Sequence, residues 1–288
     1  MMDDVIINRQ TVLEVVLEGL HIPREVYELR YYLFLRAANR YFNDGGTSEL
    51  LEPFPTCFYD FATKTRRYEA LQASVTKIPK LSDINNMTSL PEPIWALLSW
   101  IFTNPLKIEA VKQSEISEYL SDVLREETKL SNIPNPSHNC YRFDITHEDP
   151  IPKKAFLAHK AVLGSFFAYH GSPGHNFHSI IHRGLRCSLN VRKAHGPGTY
   201  LTSYLETATS YAAQYCGGYR GDGSIKYCVA IVEVVKHPSV KVVNHNLTGP
   251  SKTLKENKFA DTSSKNYLYY VVNSDELMRL RHLLVYYY

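Results

Sequence analysis

The stretch from Phe166 to Tyr211 constrains the fold more than any other part of the chain. It opens Phe166-Phe167-Ala168-Tyr169-His170-Gly171-Ser172, an apolar and aromatic run that stops at a His-Gly-Ser turn. Asn176 to Leu185 follows with helical spacing, and Gly184 stands where a helix would end. Gly196 and Gly198 suit a tight backbone approach before a strand starts again at Tyr200. Ser203-Tyr204-Leu205-Glu206 is a capping-box pattern, and the helix it opens carries Tyr211. Taken singly, each piece has a plain structural reading. A histidine at a strand end is usually a polar residue at the edge of a core. Gly-x-Gly fits any tight turn, and a tyrosine in a strand or helix most often packs.

The residues before this stretch read as helical. Val12, Val15, Val16 and Leu20 share one face of a short helix over 9–20. Pro23 suits the first turn of a longer helix with Val26, Leu29, Leu33 and Ala37 at near-helical intervals. Asn43-Asp44-Gly45-Gly46-Thr47 is a turn, and another helix is expected at 70–75. Pro91-Glu92-Pro93 starts a helix over 94–103 that is apolar all round and therefore buried. Its Trp95 and Trp100 read as core packing ahead of cofactor stacking. A further helix is expected over 114–127.

Residues 130–137, with prolines and asparagines, mark the boundary between a helical domain over 1–130 and a second domain over 131–288. Strands are expected there at 141–146, 166–170, 198–201, 227–235, 240–243, 267–272 and 280–287, supported by Val, Ile and Tyr enrichment. Only two helices, at 176–182 and 204–215, are expected to interrupt them. That ratio predicts an α+β fold, an N-terminal α-helical domain followed by an antiparallel or mixed β-sheet domain. Gly196-Pro197-Gly198 lacks the third glycine and the following helix of a Rossmann turn, and no Walker A sequence is present.

Composition removes other classes. A chain of 288 residues that is 44% hydrophobic forms a core, and a net charge of +3 is too small to mark a nucleic-acid surface. Cys57, Cys140, Cys187, Cys216 and Cys228 contain no CxxC pair. They read as buried thiols of a reducing compartment, and no metal is expected. Met1-Met2-Asp3-Asp4 is acidic where a signal peptide needs basic residues. The longest apolar run, 94–102, is too short to span a bilayer.

His-Gly-Ser after a strand, then Gly198-Thr199-Tyr200, then Tyr211 resembles the catalytic domain of the poly(ADP-ribose) polymerase superfamily, the diphtheria-toxin-like ADP-ribosyltransferases. Phe177-His178-Ser179-Ile180-Ile181-His182, Gly198-Thr199-Tyr200-Leu201-Thr202-Ser203 and Leu283-Leu284-Val285-Tyr286 are similar to a small mono-ADP-ribosyltransferase branch of it, tail-anchored in the endoplasmic reticulum. The resemblance extends to Pro53-Phe54-Pro55 and to Trp95-Ala96-Leu97-Leu98-Ser99-Trp100-Ile101. It implies an NAD-dependent protein mono-ADP-ribosyltransferase whose partners are acceptor proteins, itself among them. It implies a cytoplasmic-facing protein, soluble as the chain stands, and a reticulum membrane protein where an apolar tail follows Tyr288. It also implies that the helical domain packs on the sheet domain and regulates access to the donor cleft.

ADP-ribosyl transfer breaks the bond between a cationic nicotinamide and ribose through an oxocarbenium-like transition state, much as glycoside hydrolysis does. The protein has to hold the ring, hold the ribose and place an acceptor. By resemblance, the Gly171 main chain grips the carboxamide and His170 contacts the adenine-proximal ribose, with Ser172 a lesser candidate beside it. Tyr200 and Tyr211 would sandwich the nicotinamide ring, which suits a cation on π faces. Arg192, Lys193 and His195 either meet the pyrophosphate or form a solvated loop; the sequence favours neither. Ala208 stands where polymerising relatives have a carboxamide-binding serine.

The third catalytic position is where the chain departs. Polymerising members carry glutamate and the tail-anchored branch tyrosine, whereas alignment on Leu283-Leu284-Val285-Tyr286 puts His282 there. Histidine brings no permanent negative charge to stabilise an oxocarbenium ion or support chain growth. Two functions follow: single-unit transfer, in which an acidic acceptor supplies the missing carboxylate, or an NAD-binding module that has lost turnover.

Overall fold

The computed structural model describes residues 9–10, 12–14, 23–86, 89–103, 107–110, 140–146, 150–190, 194–213, 225–244 and 268–288. The expected helix at 114–127, the boundary at 130–137, Arg192, Lys193 and Cys216 lie outside them. The chain forms two compact units, one of Met1–Leu106 with Gly174–His182, the other of Lys107–Pro173 with Arg183–Tyr288.

The first unit is built on helices α1 (Arg24–Asn43), α2 (Tyr68–Lys77) and α3 (Glu92–Thr103), with a two-stranded ribbon of β1 (Tyr59–Asp60) and β2 (Thr65–Arg66). Pro23 sits at the N-cap of α1, where its missing N–H costs nothing. Helix α1 buries Val26, Leu29, Leu33 and Ala37, as the spacing predicts, and also Tyr31 and Phe34. Helix α3 buries Ile94, Trp95, Leu97, Leu98, Ile101 and Phe102. Trp95 is 2% exposed and Trp100 packs edge-on against Phe34, so both tryptophans serve the core. The Arg30 guanidinium, also buried, donates to the Phe102 carbonyl at 2.6 Å.

Helix α5 (Phe177–Arg183) supplies His178 to this core, edge-on to Phe34 with 5.2 Å between ring centroids. Its Nε2 donates to the Pro53 carbonyl at 3.3 Å. Burial pushes the imidazole down to about 4, against an ordinary value near 6.5. The sign of the consequence follows from which state binds the proton. Between pH 6.5 and about 4 the unfolded chain protonates His178 and the folded chain does not. Stability from this residue is therefore complete above pH 6.5, falls as pH drops towards 4, and changes little below. A shift of that size corresponds to about 3 kcal/mol. Urea titrations across this range should show the slope in the wild type and a flatter profile in His178→Leu. An unchanged slope would show that other groups carry the acid sensitivity.

The second unit is a single sheet in the order β3-β4-β10-β7-β5-β6-β9-β8. Its strands are β3 (Lys107–Ala110), β4 (Cys140–Thr146), β5 (Ser165–Gly171), β6 (Thr199–Thr202), β7 (Ile225–Val235), β8 (Lys241–Asn244), β9 (Leu268–Val272) and β10 (Met278–Tyr287). Every described pairing in it is antiparallel. The α+β class holds. Helix α4 (Pro150–Leu163) links β4 to β5, and α6 (Leu205–Ala213) follows β6. Leu205, Ala208 and Ala212 of α6 pack on Phe167, Tyr169, Val229, Ile231 and Leu284, covering one face of the sheet. On the other face Phe166 meets Tyr270, ring centroids 4.7 Å apart.

Two sequence expectations need correction. A third helix, α4, interrupts the strands of this half. The helix starts at Pro150, since prolines are tolerated in a first helical turn, and Phe156 anchors it in the core. Strand β3 was not expected either; Lys-Ile-Glu-Ala is too short and too charged to stand out, as edge strands often are. Among the described residues no helix is long and apolar enough to cross a membrane.

Candidate active site

Strand β5 delivers His170 and Gly171 to the end of its ladder with β7, opposite Ala230 and Val229. On its other side β5 meets β6 at one pair, Tyr169 with Thr202. The ladder is already open at His170 and Gly171. There His170 Nδ1 reaches the Tyr200 carbonyl at 3.0 Å, a side-chain bond where a backbone bond is missing. A carbonyl only accepts, so Nδ1 carries the proton and Nε2 is left as an acceptor in the neutral ring. Burial lowers the imidazole's pKa and keeps it neutral at pH 7.

Strand register sorts the other side chains by face. Tyr169 pairs with Thr202, which pairs with Tyr269, and Tyr169 also pairs with Ile231, which pairs with His282. Paired residues point the same way, and so do alternate residues along a strand. Tyr169, Tyr200, Thr202, Tyr269 and His282 therefore share the face that α6 covers. His170 belongs to the opposite face and reaches the group through the Tyr200 main chain.

Gly171 is required for a reason the sequence does not disclose. A Cβ there would lie 1.8 Å from the Ala208 carbonyl oxygen, so the glycine lets α6 settle on β5. Gly198 has φ +142°, and a Cβ on it would come within 2.6 Å of the Val272 carbonyl oxygen. It is the residue that lets the turn enter β6.

The Tyr200 hydroxyl accepts from the His195 N–H and donates to the Gly196 carbonyl, both at 2.7 Å, and so ties the glycine turn to β6. The His195 ring lies beside Tyr200 and Tyr269, with centroids 6.2 and 6.3 Å away. Lys241 donates to the His195 carbonyl at 2.9 Å. Tyr211 of α6 meets Tyr269 through their side-chain hydroxyls, and burial raises the Tyr269 phenol pKa, with Tyr211 adding to the effect. Ser172 is buried directly after Gly171. The Tyr169 hydroxyl is buried with no hydrogen-bond partner among the described residues, and burial raises its pKa first, the Glu206 charge second.

At the far side of the face, His282 Nδ1 donates to Asp144 Oδ1 at 2.6 Å. Arg142 Nε and Nη2 donate to the same oxygen at 3.1 and 3.0 Å. Burial holds His282 below its ordinary value, although Asp144 pulls upward. Burial pushes Asp144 up, but the His282 and Arg142 bonds outweigh it and leave the carboxyl below the usual range. Among the described residues no group of three His, Cys, Asp or Glu could hold a metal ion. Burial pushes the thiols of Cys140 and Cys187 up to about 11, away from nucleophilic use.

The match to known sequences decides the family. Residues 127–288 match the poly(ADP-ribose) polymerase catalytic domain. The chain belongs to the poly(ADP-ribose) polymerase family. It therefore carries an ADP-ribosyltransferase catalytic domain. Residues 24–102 match the ARTD15 N-terminal domain, which falls on the helical unit. Protein mono-ADP-ribosyltransferase PARP16 of mouse is 32% identical over 267 residues, 90% of this chain and 78% of the relative. Human PARP16 is 32% identical over 266 residues. Human PARP8, also a protein mono-ADP-ribosyltransferase, is 35% identical over 81 residues, 28% of this chain.

Within this poly(ADP-ribose) polymerase domain, the structure links His170 to Tyr200 and sets Tyr200 and His282 on one face with the Tyr211 helix. Sequence reasoning missed Tyr169, Tyr269 and Asp144. The signal for Asp144 was present: Arg142 and Asp144 are charges two apart in an otherwise apolar strand, hence on one face. Tyr169 and Tyr269 carried no signal in a chain with 21 tyrosines.

Proposed function

We propose that the protein transfers a single ADP-ribose from NAD to protein side chains, its own included, with release of nicotinamide. The observation that carries this reading is the break in the sheet between β5 and β6, bridged by His170 and flanked by Tyr200. The residues there fit NAD as co-substrate. Gly171 has main-chain groups on the open edge, Tyr169 has a buried hydroxyl without a partner among the described residues, and Tyr200 and Tyr211 are aromatic faces for a cation.

In this reading Gly171 orients the carboxamide and Ser172 supports the ribose beside it. His170, neutral with Nε2 accepting, takes a ribose hydroxyl proton in a hydrogen bond while its Nδ1 keeps Tyr200 in place. Tyr200 and Tyr211 fix the nicotinamide ring so that its departure is aligned with the acceptor. His282 stands at the third position, and without a carboxylate there the product carries one unit rather than a chain. The helical unit is proposed to regulate the donor site.

Nicotinamide release from NAD tests the reading. Wild-type protein should release it, and Tyr200→Ala should be slower by about a hundredfold, the cost of a misplaced reacting group. Thermal stabilisation by NAD with no release would assign the protein to the binding-only class instead. An unchanged rate in Tyr200→Ala would refute the placement of the ring.

A further inference from the structure

We infer that Asp144 is a positioning residue for His282, and that the pair makes His282 a general base for a hydroxyl acceptor, directing transfer to serine or threonine. The inference rests on the ADP-ribosyl transfer reading above.

The geometry is that of the histidine–carboxylate half of a hydrolytic triad. Asp144 and His282 are directly paired across β4 and β10, and His282 Nδ1 lies 2.6 Å from Asp144 Oδ1. A carboxylate only accepts, so Nδ1 bears the proton. Among the described residues His282 has no second polar partner, which leaves the Nε2 lone pair open. Arg142, its side chain 2% exposed, donates twice to the same Asp144 oxygen and fixes it as the anion. The Phe167 ring stacks on His282 at 6.3 Å and 28°, setting the plane of the imidazole.

The positive charge of Arg281 beside His282 has its own partner. Arg281 falls at a register break of β10 against β7, between Leu280 and His282. It is drawn to Glu233 at 3.0 Å. Among the described residues, the charged groups that act on His282 are Asp144 and Arg142 on β4 and the Glu233-paired Arg281 on its own strand. With Asp144 ionised and His282 neutral at pH 7, the ring is poised to take a proton.

That property selects the acceptor. A carboxylate side chain is already ionised at neutral pH and has no proton to give. A hydroxyl must lose one as it attacks, and a positioned base accelerates that step. The bond from the acceptor oxygen to the ribose anomeric carbon forms as the bond from that carbon to nicotinamide breaks. Nicotinamide leaves neutral with the bonding pair. The hydroxyl proton passes to His282 Nε2, and Asp144 stabilises the resulting imidazolium.

The test uses the full chain, NAD and two peptides that differ only in serine or glutamate at one position. The expected adduct is on serine and survives neutral hydroxylamine, which cleaves the ester formed on glutamate. Asp144→Asn should lower transfer to the serine peptide about a hundredfold. Its acid limb, where activity is lost as the base protonates, should move to lower pH, because Asp144 is the group that raises His282. Asp144→Glu should recover part of the rate. If Asp144→Asn does not fold, His282→Gln serves: transfer to serine should fall by a larger factor than any transfer to glutamate, and an equal fall in both would overturn the dyad. Hydroxylamine-labile adducts, or an acid limb that does not move, would overturn the dyad and leave ADP-ribosyl transfer standing. No nicotinamide release under any condition would remove both.

Discussion

Gly171→Ala is expected to destabilise the sheet unit by about 3 kcal/mol and to abolish activity. The added Cβ would lie 1.8 Å from the Ala208 oxygen, 2.6 Å from its carbonyl carbon and 2.9 Å from its Cα. All three are backbone atoms, so no rotamer change relieves the clash. Either α6 lifts from β5, carrying Tyr211 away, or the end of β5 moves and breaks the His170 bond to Tyr200. Ala208→Gly should not rescue the variant, because the methyl of Ala208 is not what the new Cβ meets. Urea unfolding with nicotinamide release on the same samples checks this. A Gly171→Ala protein of wild-type stability would mean that α6 does not seat as described.

That glycine shows what sequence can disclose. By resemblance the position was legible as one whose main chain meets a ligand. The steric reason for glycine was not, because the carbonyl of Ala208 lies on an element joined to Gly171 only by packing. The same limit hid Asp144. Its partner His282 is 138 residues away, and only strand order brings β4 beside β10. What local periodicity controls was readable: the strand ending at His170, the helix beginning near Leu205 and the apolar faces of α1 and α3. Helix α4 was not expected, and prolines such as Pro150 at its start are compatible with a loop as well as with a first helical turn. His178 was read as part of the family motif, yet its ring is buried against Phe34 in the helical unit.

Trp95→Ala is the second large effect. Trp95 is 2% exposed and among the largest fully buried side chains, on a helix whose neighbours Ile94, Leu98 and Phe102 are also in the core. Truncating it removes apolar contact and leaves a cavity that the surrounding helices fill only in part, at a cost of about 3–5 kcal/mol. The loss should appear as a lower urea midpoint for the unfolding of the helical unit. Trp95→Phe should cost much less, since it keeps most of the ring. Equal losses for both variants would point to a polar role for the indole that the packing does not reveal.

The measurement that bears most directly on the account is intact-mass analysis of the full chain and a candidate acceptor after incubation with NAD. The account predicts additions of single ADP-ribose units, accumulating about a hundredfold more slowly in Tyr200→Ala and with no growth of any one adduct into a chain. A ladder of units on one side chain would contradict it, because His282 then would not limit the reaction to one transfer.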